Sequence, residues 1–217
     1  MTDYTGRRTM MVDTQVRPSD VTKFPIIDAM LSVPREAYVP RNLREAAYVG
    51  ENIALGGRRV ILEPRTLAKM LDGLDLRRDE LVLDVGSALG YSAAVMARMA
   101  QVVIAVEEDA ELAAEAPGIL IENHDDNVVV HEGPLAQGVA EHGPYDVIVI
   151  QGAVEELPAP LLDQLKEGGR IACLFMEGAL GVVRIGYKID GDITWRFSFN
   201  AGAPVLPGFE KQAEFAL

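Results

Sequence analysis

Apolar and polar positions along this chain change period twice. Near the start, Ile26, Ile27, Met30 and Leu31 recur at helical spacing behind a Ser19-Asp20 cap, with Pro25 in the first turn and Pro34 as the stop. A second short helix is expected from Leu43 to Val49, and Gly56-Gly57 marks a turn. Leu67, Met70, Leu71 and Leu74 then form one face of an amphipathic helix beginning near Pro64. The first ten residues are polar and are expected to be loose. From residue 81 the pattern turns to short continuous apolar runs at 81–85, 102–106, 128–130, 145–150 and 171–175. Helical stretches at 92–97, 110–116 and 160–165 lie between them. Pro117-Gly118 is expected to break or kink the second of these, and Gly168-Gly169 to cap the third. Two further runs, 182–189 and 193–199, flank Asp190-Gly191-Asp192 and predict a β-hairpin. Helices, then alternating strand and helix, then an antiparallel pair describe an α/β fold with a doubly wound, mostly parallel sheet. Residues 1–78 are expected to be a helical extension packed on the sheet-bearing domain of residues 79–217.

The junction of the first strand and helix carries the candidate chemistry. Asp84, Gly86, Ser87, Ala88 and Gly90 form a strand–turn–helix element, and Glu107 ends the next strand about 20 residues later. An acid there is placed to hold a pair of ribose hydroxyls. The dinucleotide fingerprint G-x-G-x-x-G fails, because Ala88 and Tyr91 stand at its second and third glycine positions. No G-K-[S/T] follows, so a phosphate loop fails too. The spacing D-x-G-x-x-x-G with a downstream acid suits an adenosine ligand without a pyrophosphate, as in S-adenosylmethionine (SAM) sites. The same glycine count argues against a nicotinamide oxidoreductase.

Composition narrows the partners. The chain has 217 residues, 49% of them hydrophobic, and a formal net charge of −13. An acidic surface repels phosphate backbones, so nucleic acid is not expected as a partner. The basic pairs Arg7-Arg8, Arg58-Arg59 and Arg77-Arg78 read as solvated faces. Cys173 lies in an apolar run and reads as a buried small hydrophobe in a reducing compartment. No run reaches membrane-spanning length and no signal-peptide core precedes Val12, so a cytoplasmic protein without membrane association is expected. His124, His131 and His142 lack metal-ligand spacing, so no metal is expected.

Several segments together resemble one family. Gln15-Val16-Arg17, the stretch Val33-Pro34-Arg35-Glu36-Ala37-Tyr38-Val39-Pro40, and Ala47-Tyr48 are similar to the amino-terminal extension of protein-L-isoaspartate O-methyltransferases. Residues 83–94 look like that family's SAM loop, and 145–149, Pro158 and 162–170 like its later strand regions. The resemblance implies a Rossmann-like class I methyltransferase with a seven-stranded sheet and helices on both faces. It also implies methyl transfer from SAM to the side carboxylate of isoaspartyl residues in damaged peptides and proteins, a repair reaction. By the same resemblance, Gly133, Pro134 and Leu135 fall where the family contacts adenine, and Ile61, Leu62, Glu63 and Pro64 line the substrate pocket.

Departures from the family fall at its ligands. Val60 and Leu62 replace a threonine and a serine, the serine being a residue that orients the substrate carboxylate. That leaves no catalytic side chain to name. Glu63 places a like charge near an acidic substrate. Ala88 replaces a glycine in the SAM loop, at a cost of about 1 kcal/mol if φ is positive there. Pro134 replaces an acid that accepts the adenine amino group. Two readings follow: an isoaspartyl O-methyltransferase, or a homologue that keeps the fold without that methylation.

Overall fold

The computed structural model describes residues 3–211. Residues 1–2 and 212–217, the outer ends of the two expected segments, lie outside the described residues. The chain opens on α1 (Tyr4–Met11), capped by the Asp3 carboxylate, which accepts from the Gly6 N–H at 2.8 Å. The polar opening is therefore helical rather than loose: Tyr4 and Arg7 bond Glu45, and Met11 is buried. Single turns follow to Ser19, then α2 (Phe24–Ser32). Asp20 does not cap α2. It ends the preceding turn at φ +66, Lys23 is the N-cap, and Pro25 does sit in the first turn. The region expected to be a helix from Leu43 is a 3₁₀ turn, Arg41–Ala46.

A two-stranded antiparallel ribbon comes next, β1 (Ile53–Gly56) and β2 (Arg59–Ile61), turning at Gly56-Gly57. The amino-terminal segment is thus mostly helical but presents a hairpin just before α3 (Pro64–Leu74). From there the strands and helices alternate: β3 (Leu81–Val85), α4 (Tyr91–Ala97), β4 (Val102–Glu107), α5 (Ala110–Glu122), β5 (Val128–Glu132), β6 (Tyr145–Val154), α6 (Ala159–Leu162), β7 (Leu165–Glu177), β8 (Leu180–Ile189) and β9 (Asp192–Asn200). α5 runs unbroken through Pro117-Gly118. Both residues face solvent, so the ring of Pro117 displaces no packed neighbour, while Ala113, Ala116 and Leu120 anchor the opposite face. α6 is one turn only, and Gly168 at φ +76 lies within β7 instead of capping a helix.

The main sheet has seven strands in the order β5-β4-β3-β6-β7-β8-β9. Its first five strands are parallel, and β8 runs antiparallel to both neighbours. Asp190 and Gly191, both at positive φ, make the β8–β9 turn. Adjacent residues point to opposite faces: Val82, Val103 and Val147 enter one core, and Leu83, Ile104 and Ile148 the other. Helices α1 to α5 cover the first face. The second is covered by single-turn helices and by the tail, whose Leu206 and Phe209 are fully buried. Trp195 is half-buried, edge-on to Phe175 at 5.0 Å.

The chain moves outward from β3 to β5, then returns to place β6 on the other side of β3. That reversal opens a crevice at the carboxyl ends of β3 and β6, the place where open α/β sheets bind ligands.

Candidate cofactor site

Asp84 lies near the end of β3, fully buried. It accepts a hydrogen bond from the Ser92 hydroxyl at 2.6 Å and one from Gln151 Nε2 at 2.7 Å. Gln151 belongs to β6, so this bond spans the topological switch. Burial pushes the Asp84 carboxyl up to about 7, against the pull of those two bonds; the Glu107 charge raises it further and Arg59 lowers it.

The turn that follows is built on left-handed backbone. Gly86 is at φ +82, Ala88 at +51 and Gly90 at +96. Gly86 and Ser87 donate their N–H groups to the Val106 carbonyl at 2.9 and 3.3 Å, which ties the turn to β4. Ala88 donates to the Glu107 carboxylate at 2.7 Å.

Glu107, fully buried at the tip of β4, is the hub of the site. Besides Ala88, it accepts from the N–H groups of Glu108 and Asp109, each at 3.0 Å. Arg59 of β2 grips the same carboxylate, its Nε at 3.3 Å from Oε1 and its Nη2 on Oε2. Of the Arg58-Arg59 pair, Arg58 is exposed as expected and Arg59 is not. Arg58 bonds Glu210, and Arg59 is only 4% exposed. Sequence reasoning missed Arg59 because nothing local distinguishes an arginine that folds onto a carboxylate 48 residues away. Gln151, 67 residues from Asp84, was missed for the same reason.

Two spaces adjoin this hub. An open cleft of about 540 Å³ is lined by Gly57, Arg59, Glu108, Asp109, Glu132, Gly133 and Pro134. Gly133 and Pro134 are thus walls of the open cleft. Leu135 contributes no surface there, because its side chain is fully buried in the second core. The other space holds only about 10 Å³, close to one water. Val60, Ile61, Leu62, Gly86, Ser87, Ala88 and Tyr91 are among its walls.

The expected substrate face is apolar and closed. Val60, Ile61 and Leu62 are 4%, 7% and 2% exposed. The Leu62 carbonyl accepts from Arg35 Nη2 at 2.8 Å, and Arg35 Nε donates to the Ala47 carbonyl at 2.7 Å. The Arg35 guanidinium stacks 4.5 Å above the Tyr91 ring. Arg35 of the V-P-R-E segment therefore fastens the hairpin from beneath. Glu63 precedes α3, whose first residue is Pro64, and its carboxylate accepts from Thr66 Oγ1 at 2.7 Å. Its charge is taken up there and by Arg65 at 3.5 Å. Among the described residues no cluster of His, Cys, Asp or Glu could hold a metal ion, and no helix is long and apolar enough to cross a membrane.

An adenosine ligand fits the cleft and the glycine turn. One buried polar atom at the turn, Ser87 Oγ, has no protein partner, as expected of a site that completes its hydrogen bonds with a ligand. The fit fails at one point: with Arg59 in place, Glu107 has no acceptor capacity left for ribose.

Relatives place this geometry in a family. The family model of protein-L-isoaspartate(D-aspartate) O-methyltransferase matches residues 7–181. A protein-L-isoaspartate O-methyltransferase 2 from Anaeromyxobacter sp. is 39% identical over 184 residues, covering 85% of this chain and 74% of the relative. A solved protein-L-isoaspartate O-methyltransferase superposes with a TM-score of 0.80 at 24% identity; the match covers 93% of this chain and 66% of that one. A Plasmodium falciparum structure, described as a candidate of the same class in complex with S-adenosyl-L-homocysteine, gives a TM-score of 0.79 at 22% identity, covering 95% and 99%. The residues that carry the turn, the hub and the Arg35 fastening all fall inside the matched span, and the chain belongs to the protein-L-isoaspartate(D-aspartate) O-methyltransferase family.

Proposed function

We propose that this chain is a SAM-dependent O-methyltransferase of the cytoplasm that acts on the side carboxylate of isoaspartyl residues in peptides and proteins. The observation that carries the reading is the Asp84–Gly86–Glu107 turn at the sheet's switch point, in a chain of this family. Asp84, the turn 86–90 and Glu107 would hold the cofactor, with Gly133 and Pro134 at the adenine end. When bound, SAM supplies a methyl group made electrophilic by its sulfonium.

The remaining work falls to the chain. A carboxylate acceptor is already ionised at pH 7, so no general base is needed. Val60, Ile61 and Leu62 form a buried apolar wall beside the turn, which keeps bulk water from it. They offer no side-chain hydrogen bond to the incoming carboxylate. A hydrogen bond to a charged group is worth roughly 1.5–3 kcal/mol, so the missing hydroxyl slows transfer about ten- to a hundredfold if it acts in the transition state. The reading therefore predicts slow transfer at an apolar acceptor face.

The test is incubation with methyl-labelled SAM and an isoaspartyl peptide beside its aspartyl twin. Base-labile methyl ester on the isoaspartyl peptide alone supports the reading. Equal labelling of both, or labelling of neither by folded protein, contradicts it.

A further inference from the structure

We infer that Arg59 is a specificity-determining residue of the cofactor site: it occupies the ribose acid, and an adenosine ligand binds by exchanging with it. The inference rests on the reading of this turn as the SAM site.

An ionised carboxylate has about four lone-pair positions. Glu107 already accepts from five donors: three backbone N–H groups, of Ala88, Glu108 and Asp109, and two groups of Arg59. The backbone donors belong to the turn and to the β4 end and cannot leave without unmaking them. Arg59 is the one donor that can. Two ribose hydroxyls would replace its two bonds one for one.

Position supports the same exchange. The Arg59 guanidinium lies against the turn, so near that a Cβ added at Gly86 would stand 2.9 Å from Nη1. It therefore covers the backbone that a ligand in the turn must approach. It also lines the open cleft, together with Glu108, Asp109 and Glu132. A released guanidinium thus has space and three carboxylates to receive it, and Glu107 keeps five hydrogen-bond donors, three backbone N–H groups and two hydroxyls, in place of its ion pair. Its free Nη1 is the mark of an arginine not fully satisfied where it rests.

The consequence is an affinity set by the fraction of molecules in which Arg59 has left Glu107. If that fraction is about 1–10%, apparent affinity is lowered about ten- to a hundredfold. Removing the guanidinium removes that factor while leaving the three backbone donors to hold Glu107.

Calorimetric titration of the wild type and Arg59→Gln with S-adenosylhomocysteine tests this. Binding at least tenfold tighter in the variant supports the inference. Equal or weaker binding by a folded variant overturns it and leaves the cofactor reading standing. Absence of binding in both chains overturns the cofactor reading and the inference with it. Should Arg59→Gln fail to fold, a crystal structure of the wild type with S-adenosylhomocysteine decides. Ribose on Glu107 with Arg59 withdrawn supports the exchange, and Arg59 still paired with Glu107 overturns it.

Discussion

Ala88 donates its backbone N–H to the Glu107 carboxylate at 2.7 Å from a left-handed conformation, φ +51. The bond fixes the turn against β4 and obliges an L-residue to adopt a backbone that costs roughly 1–2 kcal/mol. Ala88→Gly relieves that strain, and the greater freedom of glycine in the unfolded chain offsets part of the gain. The expected net effect is about 0.5–1 kcal/mol of added stability, or roughly 1–4 °C in melting temperature for a chain of this size. Thermal unfolding checks it; a lower melting temperature would show that the turn is not strained at Ala88.

Gly152 and Leu206 are in closer contact than any larger residue permits. A Cβ at Gly152 would lie 2.6 Å from Leu206 Cγ. Leu206 is fully buried, and the tail crosses β6 through Leu206 N–H to Ala153 O at 2.9 Å. Gly152→Ala is expected to cost about 1–3 kcal/mol by overpacking and to free the tail. Limited proteolysis should then cut near residues 203–211, which stay protected in the wild type.

Asp84 makes stability depend on pH in an unusual sense for a carboxylate. Its folded pKa is raised to about 7, above the unfolded value, chiefly by burial. Between roughly pH 4 and 7 the folded state keeps a proton that the unfolded chain has lost. This group's contribution therefore falls as pH rises through that window and is flat above it. Asp84→Asn removes the titration. The melting temperature of the variant relative to wild type should rise from pH 5 to pH 8, and a constant difference would refute the shift.

Restoring hydroxyls to the acceptor face should restore speed. Leu62→Ser combined with Val60→Thr is expected to raise isoaspartyl methylation about ten- to a hundredfold. Because Leu62 is 2% exposed, the change should also cost about 2–5 kcal/mol of stability. A double variant that is folded, binds SAM and shows no gain in turnover would refute the role given to these positions.

Strands 81–85 and 102–106 were readable because strands buried on both faces are continuous apolar runs. The turn at 86–90 was readable because few backbones need an acid, two glycines and a following acid at that spacing. Failures have equally specific causes. The first ten residues carry little apolar periodicity, yet from Tyr4 onward they are helical, because Asp3 caps that helix and Glu45 holds Tyr4 and Arg7, contacts invisible to local pattern. Pro117 reads as a helix breaker only if its face is buried, and it is exposed. Arg59 reads as solvated because its partner, Glu107, becomes its neighbour only through the fold.

The site itself is tested most directly by ultraviolet crosslinking of methyl-labelled SAM, with peptide mapping and excess unlabelled S-adenosylhomocysteine as competitor. The account predicts competable label within residues 57–63, 84–109 or 132–134, the segments that meet at Glu107. Label elsewhere in the chain, or label that the competitor does not remove, would contradict it.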